Sequence, residues 1–247
     1  DPVFSTFASP VFFANRAFEG TNLYTAEDMP DIDYLLISHD HWDHLDYATA
    51  TALRSKVGQV VCPLGVGAHF EAWGYGKETV FEGDWYSALE GEEGFAIHIL
   101  PARHFSGRSL TRNKTLWAGF ALVTPERRIF FSGDSGYGKH FAEIGARFGG
   151  FDLAMLDCGQ YDENWRYVHM MPEDTAQAAE DLRARALLPG HVGKFAIAYH
   201  TWDDPFKRIV AASRGKQYRL LLPLLGEPVA LPVASDGELS RWWEAGR

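Results

Sequence analysis

The stretch SHDHWDHLD, residues 38–46, places three histidines and three aspartates in nine positions, directly after the apolar run DYLLI. Crowded carboxylates repel and buried imidazoles lose hydration, so the segment needs a compensating charge, and a metal cluster supplies one. His39, His41, Asp43 and His44 fit the pattern HxHxDH. Just past a strand, His39 and His41 can point to one side while Asp43 and His44 turn to a second, neighbouring point. Imidazole and carboxylate donors suit zinc, and two such points suggest a two-metal site.

Working outward, apolar runs predict strands at 33–38, 59–63, 95–100, 116–123, 128–133, 152–158, 186–189 and 218–222. Helices are expected at 45–56, 65–73, 172–186 and 203–214. In the third of these, Pro172 suits the first turn, and Glu173 and Asp174 favour the positive helix end. Strands alternating with helices read as α/β layers. HDHWDH, ARHFSG, GDSG, GQYDEN and GHVGKF each follow an apolar strand, as when layered α/β proteins build one site from distant segments. His104 is the natural third donor for the first metal. Asp134, on a glycine-flanked turn, is placed to bridge two metals, and His191 to close the second site.

The chain has 247 residues, with room for a substantial core. Its net charge of −10 argues against a nucleic-acid backbone as partner, because phosphate binding wants a basic surface. Bound metal would locally reverse that sign, so an anionic small substrate stays open. Cys62 and Cys158 lie far apart in apolar runs and read as buried thiols. With no membrane-length apolar run and no signal peptide in view, the expected location is the cytoplasm.

HxHxDH followed by a His, a GD turn and a PGH resembles the metallo-β-lactamase superfamily. DPVFSTFASP, LISHDHWDHLD, ARHFSGRSLTRNKTLWAGF, FFSGDSGYGKHF and PGHVGKFAIAYHTWDDP are similar to the branch of N-acyl-phosphatidylethanolamine phospholipase D and its bacterial relatives, from residue 1 to about residue 206. L-ascorbate-6-phosphate lactonases are more distant cousins. The resemblance implies an αββα four-layer sandwich with two Zn2+, Mn2+ or Fe2+ being alternatives. His39, His41 and His104 would hold one ion, and Asp43, His44 and His191 the other, with Asp134 bridging. The di-iron flavoprotein branch places Glu at the equivalent of His41, which favours hydrolysis here. Relatives carry strands before the equivalent of DPVF, so one hydrolase domain over 1–247 is expected, lacking its N-terminal strands. Where relatives read GAYxPR this chain reads GQYDENWR, so Tyr161 matches and the Pro-Arg pair does not.

The implied activity is a hydrolase using a metal-bridging hydroxide, a phosphodiesterase of the phospholipase D type acting on a small-molecule or lipid substrate. Lactone or carboxylic ester hydrolysis and a metal-binding protein without activity are the alternatives. Asp43 and Asp134 would orient the nucleophile, and Asp40 and Asp46 are candidates to fix imidazole tautomers. His169 either donates a proton to the leaving group or is a histidine near a helix start satisfied by local hydrogen bonds. His200 either lines the pocket or supports a site residue from behind, and Tyr161 either hydrogen-bonds a substrate or packs. Arg108 and Arg112 either steer an anionic substrate or form surface ion pairs. Tyr137 has the same two readings as Tyr161. Trp42, Trp165 and Trp202 would form an apolar rim; Trp117, Trp242 and Trp243 read as packing. His69, His98 and His140 read as structural. Peripheral membrane contact stays open, because an apolar surface patch suffices for it.

Overall fold

The computed structural model describes residues 1–232 and 240–244. Alternation of apolar side chains builds the two central layers. β1 (Ile32–Leu36), β2 (Val57–Pro63) and β3 (Val80–Gly83) form a parallel three-stranded sheet. Leu35, Val60 and Cys62 face one side, against Ala50 of α1 (Tyr47–Leu53) and Phe70 of α2 (Gly67–Ala72). Tyr34, Leu36, Val61 and Phe81 face the other side. They meet Ile97 and Ile99 of β5 (Ala96–Leu100), Phe120 and Leu122 of β6 (Gly119–Val123) and Phe131 of β7 (Arg128–Phe131). A strand that buries both faces in this way is the centre of a sandwich.

The second sheet has seven strands in the order β10-β9-β8-β7-β6-β5-β4, with β4 at Ala88–Glu90, β8 at Leu153–Asp157, β9 at Ala186–Gly190 and β10 at Arg219–Leu220. Its outer face carries Ala121, Phe130, Ala154, Leu156 and Leu187. These pack on Phe141 and Ile144 of α3 (His140–Phe148), three alanines of α4 (Pro172–Asp181), and Phe206 and Ile209 of α5 (Asp204–Ala212). Helices, sheet, sheet and helices make the expected αββα sandwich.

Strand direction gathers the site. β7, β8, β9 and β10 run parallel, and β5, antiparallel to β6, runs in the same sense as β7. The C-terminal ends of β5, β7, β8 and β9 therefore share one edge of the large sheet. Asp46 starts α1 as its N-cap, accepting from the Thr49 amide at 3.1 Å.

Three elements escape the sequence reading: β3, β4 and α3. The two strands are four and three residues long, too short to show alternation. α3 has no side-chain cap and carries Gly145 in its middle. That glycine is where α3 lies against α4: a Cβ there would fall 2.2 Å from the Asp181 carbonyl oxygen and 2.8 Å from Leu182 Cα. The segment expected as strand from 116 begins only at Gly119, because the amides of Leu116 and Ala118 bond to the carbonyls of Leu64 and Ser38 instead. α4 ends at Asp181 rather than 186, and Arg183, just beyond it, has φ of 53°.

Gly145→Ala forces α3 and α4 apart and is expected to destabilise the protein by about 1–3 kcal/mol. Urea unfolding should show a lower midpoint with unchanged slope.

Candidate metal centre

Five loops meet at the common edge. The loop after β1 brings His39, His41, Asp43 and His44; later loops bring His104, Asp134 and His191. All seven converge, as two donor groups. In the first, His41 Nδ1 lies 2.9 Å from His39 Nε2 and 3.2 Å from His104 Nε2. In the second, His44 Nε2 lies 3.3 Å from His191 Nε2, 3.6 Å from Asp43 Oδ2 and 3.1 Å from Asp134 Oδ2. Asp134 Oδ2 also stands 3.9 Å from His39 Nε2 and 3.7 Å from His104 Nε2, so one carboxylate oxygen faces both groups.

These spacings fit a divalent ion in each group. Donors bound at roughly 2.0–2.1 Å in a tetrahedral shell stand about 3.3 Å apart. Converging nitrogen lone pairs at 2.9 to 3.3 Å repel unless a proton or cation lies between them. Asp134 Oδ1 is buried without a hydrogen-bond donor, as fits a carboxylate placed to meet positive charge.

The backbone is shaped to aim these groups. Gly133, before Asp134, has φ of 56°, and a Cβ there would meet Ser38 Cβ at 2.6 Å and the Ala118 carbonyl oxygen at 2.8 Å. His191 itself adopts φ of 60°, a conformation sparsely populated by non-glycine residues and found where a side chain must be directed.

Outer hydrogen bonds set the tautomers. His44 Nδ1 donates to Asp1 Oδ2 at 2.8 Å, and His104 Nδ1 to the Val168 carbonyl at 2.9 Å, leaving both Nε2 atoms for the centre. Ser38 Oγ lies 2.9 Å from His39 Nδ1 and donates to Asp1. Asp40 and Asp46, the expected carboxylates for this task, do other work. Asp40 accepts from the Gly107 amide at 2.8 Å, and Asp46 caps α1 and accepts from Ser5. Sequence reasoning missed Asp1 and Asp157. The visible signal for Asp157 was a lone carboxylate closing an apolar strand; for Asp1, 37 residues before Ser38, only the fold makes the link.

His169 joins the cluster: its Nδ1 lies 3.0 Å from Asp157 Oδ2, and its ring stacks on His191 at 5.4 Å with 11° between planes. The three expected substrate residues are each engaged within the fold. Arg108 donates to the backbone carbonyls of Asp40 and Leu45 and stacks 3.8 Å over Trp42, so it braces the HxHxDH loop. Tyr161 is buried and donates its hydroxyl to Asp204. His200 accepts from the Gln160 amide at 2.9 Å and donates to the Thr201 carbonyl at 2.9 Å, which uses both ring nitrogens. Tyr137 likewise donates to Asp181. Arg112 lies over the Phe105 ring. Of the expected rim, Trp165 stays beside His169, whereas Trp202 stacks on Trp242 and meets Phe206 edge-on. Trp243 is core, as expected. His98 packs on Phe148, His69 on Trp73, and His140 lies 3.3 Å from Ser135 Oγ.

Without metal, burial holds His39 well below the ordinary imidazole value, pushes His104 down to about 3 and lowers His41. In Asp43 and Asp134 burial acts upward but is outweighed by the surrounding histidines, so both carboxylates stay low. In His191 burial acts downward but is outweighed by Asp134, Asp157 and Asp43, so its value lies well above the ordinary one. Neutral imidazoles and ionised carboxylates are the metal-binding forms. The three lowered histidines bind fewer protons folded than unfolded, so stability falls as pH drops below about 6.5, the unfolded value. The stabilisation from His191 is already complete below that pH and does not offset the fall. In chelator, the Tm should therefore drop between about pH 6.5 and pH 5, and His104→Gln should flatten the slope.

Comparison with known proteins agrees with this geometry. A family model described as a beta-lactamase superfamily domain matches residues 1–192. An uncharacterised protein of Mycobacterium tuberculosis is 41% identical over 219 residues, covering 87% of this chain and 58% of the relative. The outer membrane protein RomA of Klebsiella pneumoniae is 65% identical over 98 residues, 40% of this chain and 74% of RomA. An N-acyl-phosphatidylethanolamine-hydrolyzing phospholipase D of Caenorhabditis elegans is 32% identical, covering 80% of this chain and 59% of that protein. The chain thus spans a little under three fifths of the first and third of these relatives. Among solved structures, an isothiocyanate hydrolase from Delia radicum gut bacteria superposes with a TM-score of 0.69 at 17% identity, covering 92% of this chain and 89% of that one. With the fold, the HxHxDH loop and the family model in agreement, the chain belongs to the metallo-β-lactamase superfamily.

Proposed function

We propose that this protein is a zinc-dependent hydrolase of phosphodiesters, of the phospholipase D type. The observation that carries the reading is Asp134 Oδ2, which faces both donor groups and would let them hold two ions as one centre. The imidazole-rich donor set favours zinc over the harder ions. The similarity to N-acyl-phosphatidylethanolamine phospholipases D of C. elegans and yeast, 32% and 33% identical, supports a phosphodiester substrate.

Divalent metal, when bound, supplies Lewis acidity and lowers the pKa of water toward neutrality. Asp43 and Asp134 orient the attacking water. His169, with Nδ1 turned to Asp157, keeps Nε2 as the atom that hands a proton to the leaving oxygen. An apolar cavity of about 430 Å³, lined in part by Phe131, Met155, Leu188 and Leu221, borders Asp43, His44, Asp134 and His191 and suits an acyl group.

Exposed Leu110, Tyr167 and Tyr199, on loops beside the site residues, support peripheral contact with lipid. Among the described residues no helix is long and apolar enough to cross a membrane. Cys62 and Cys158 are buried and free, in keeping with a cytoplasmic setting.

Zinc-loaded protein is expected to hydrolyse bis(p-nitrophenyl) phosphate and N-acyl-phosphatidylethanolamine, and His104→Ala to abolish both with its fold retained. Turnover of lactones with none of diesters would replace this reading by the lactonase one. Absence of both from metal-loaded protein would leave a metal-binding protein.

A further inference from the structure

The two donor groups are complete without Asp157, yet a third carboxylate is buried beside them, 2% exposed. A desolvated carboxylate persists only when its oxygens meet donors. Asp157 Oδ2 meets His169 Nδ1 at 3.0 Å and the Ser135 amide at 3.3 Å; Oδ1 meets the Gly159 amide at 3.4 Å. The residue cannot swing away. Its own amide bonds to Ser132 Oγ at 2.9 Å, and its carbonyl accepts from Thr175 Oγ1 at 2.7 Å.

We propose that Asp157 is a positioning residue: its carboxylate fixes the Nδ1–H tautomer of His169 and so presents that ring's Nε2 to the leaving group. This rests on the reading of His169 as proton donor. An ionised carboxylate only accepts, so the ring nitrogen at 3.0 Å must carry the hydrogen, and Nε2 has the lone pair that takes up the proton shed by the attacking water and passes it to the departing oxygen. The same carboxylate faces the second metal group. His191 Nδ1 lies 3.5 Å from Asp157 Oδ1 and equally far from Asp134 Oδ1. Asp157 thus faces both parallel imidazoles, 3.0 Å from His169 Nδ1 and 3.5 Å from His191 Nδ1. The rival role is direct ligation, since Asp134, Asp157, His169 and His191 have donor atoms within 4.8 Å of one another.

Two measurements on zinc-loaded protein test the proposal. Nitrogen-15 NMR of the histidines should place the His169 proton on Nδ1 in the wild type and lose that assignment in Asp157→Asn. Turnover should then depend on the leaving group. An alkyl phosphodiester needs a proton on its departing oxygen, whereas p-nitrophenolate leaves without one. Asp157→Asn is expected to lower kcat for the alkyl ester by about 10–100-fold, with aryl turnover and zinc content near wild type. His169→Gln should share that leaving-group signature, by about 100-fold or more. An Nε2–H tautomer in wild-type His169 would overturn the proposal, as would an equal loss on both esters or the loss of one zinc in Asp157→Asn. If the wild type turns over neither ester, the proposed function fails while the NMR assignment still decides the positioning.

Discussion

Everything at the open edge of this sandwich depends on one electrostatic arrangement: a single carboxylate, Asp134, held between six histidines and two further aspartates. Alone, each of these groups is costly to bury. Together they shift one another's protonation, with Asp43 and Asp134 kept ionised and His39, His41 and His104 held toward the neutral form. That is the state a cation requires, and it explains why SHDHWDHLD tolerates its crowding.

The layers serve that arrangement. β1 belongs to the small sheet; β5, β7, β8 and β9 belong to the large one, and their C-terminal ends face the same solvent edge. No single element could carry the centre. The strands fix the positions of the loops, and local backbone devices such as Gly133 and the left-handed turn at His191 fix their directions. Arg108 makes the same point from outside: its guanidinium binds two carbonyls of the HxHxDH loop, so its charge serves geometry rather than substrate capture.

Much of this was legible in the chain. The HxHxDH pattern and the polar residues closing apolar strands pointed to the seven residues that the fold brings together as candidate donors, because ligand chemistry restricts residue type and strand ends restrict position. What was not legible depends on contacts between distant segments. Asp1 reads as an ordinary acidic residue until the fold sets it against His44. Tyr161, Arg108 and His200 have the right chemistry for substrate binding, and only their actual partners, Asp204, two carbonyls and the Gln160 amide, show that their polar atoms are engaged. Short strands and a glycine-bearing helix escape periodicity for the plain reason that too few residues repeat.

The order of the donors along the chain has a temporal meaning. The first imidazole triad is complete once residue 104 has joined residues 39 and 41, whereas the second group waits for residue 191. In a chain emerging from its N-terminal end, the residues of the first triad are present while five of the seven strands of the large sheet are still to come, and only the docking of β9 brings the last residue of the second group.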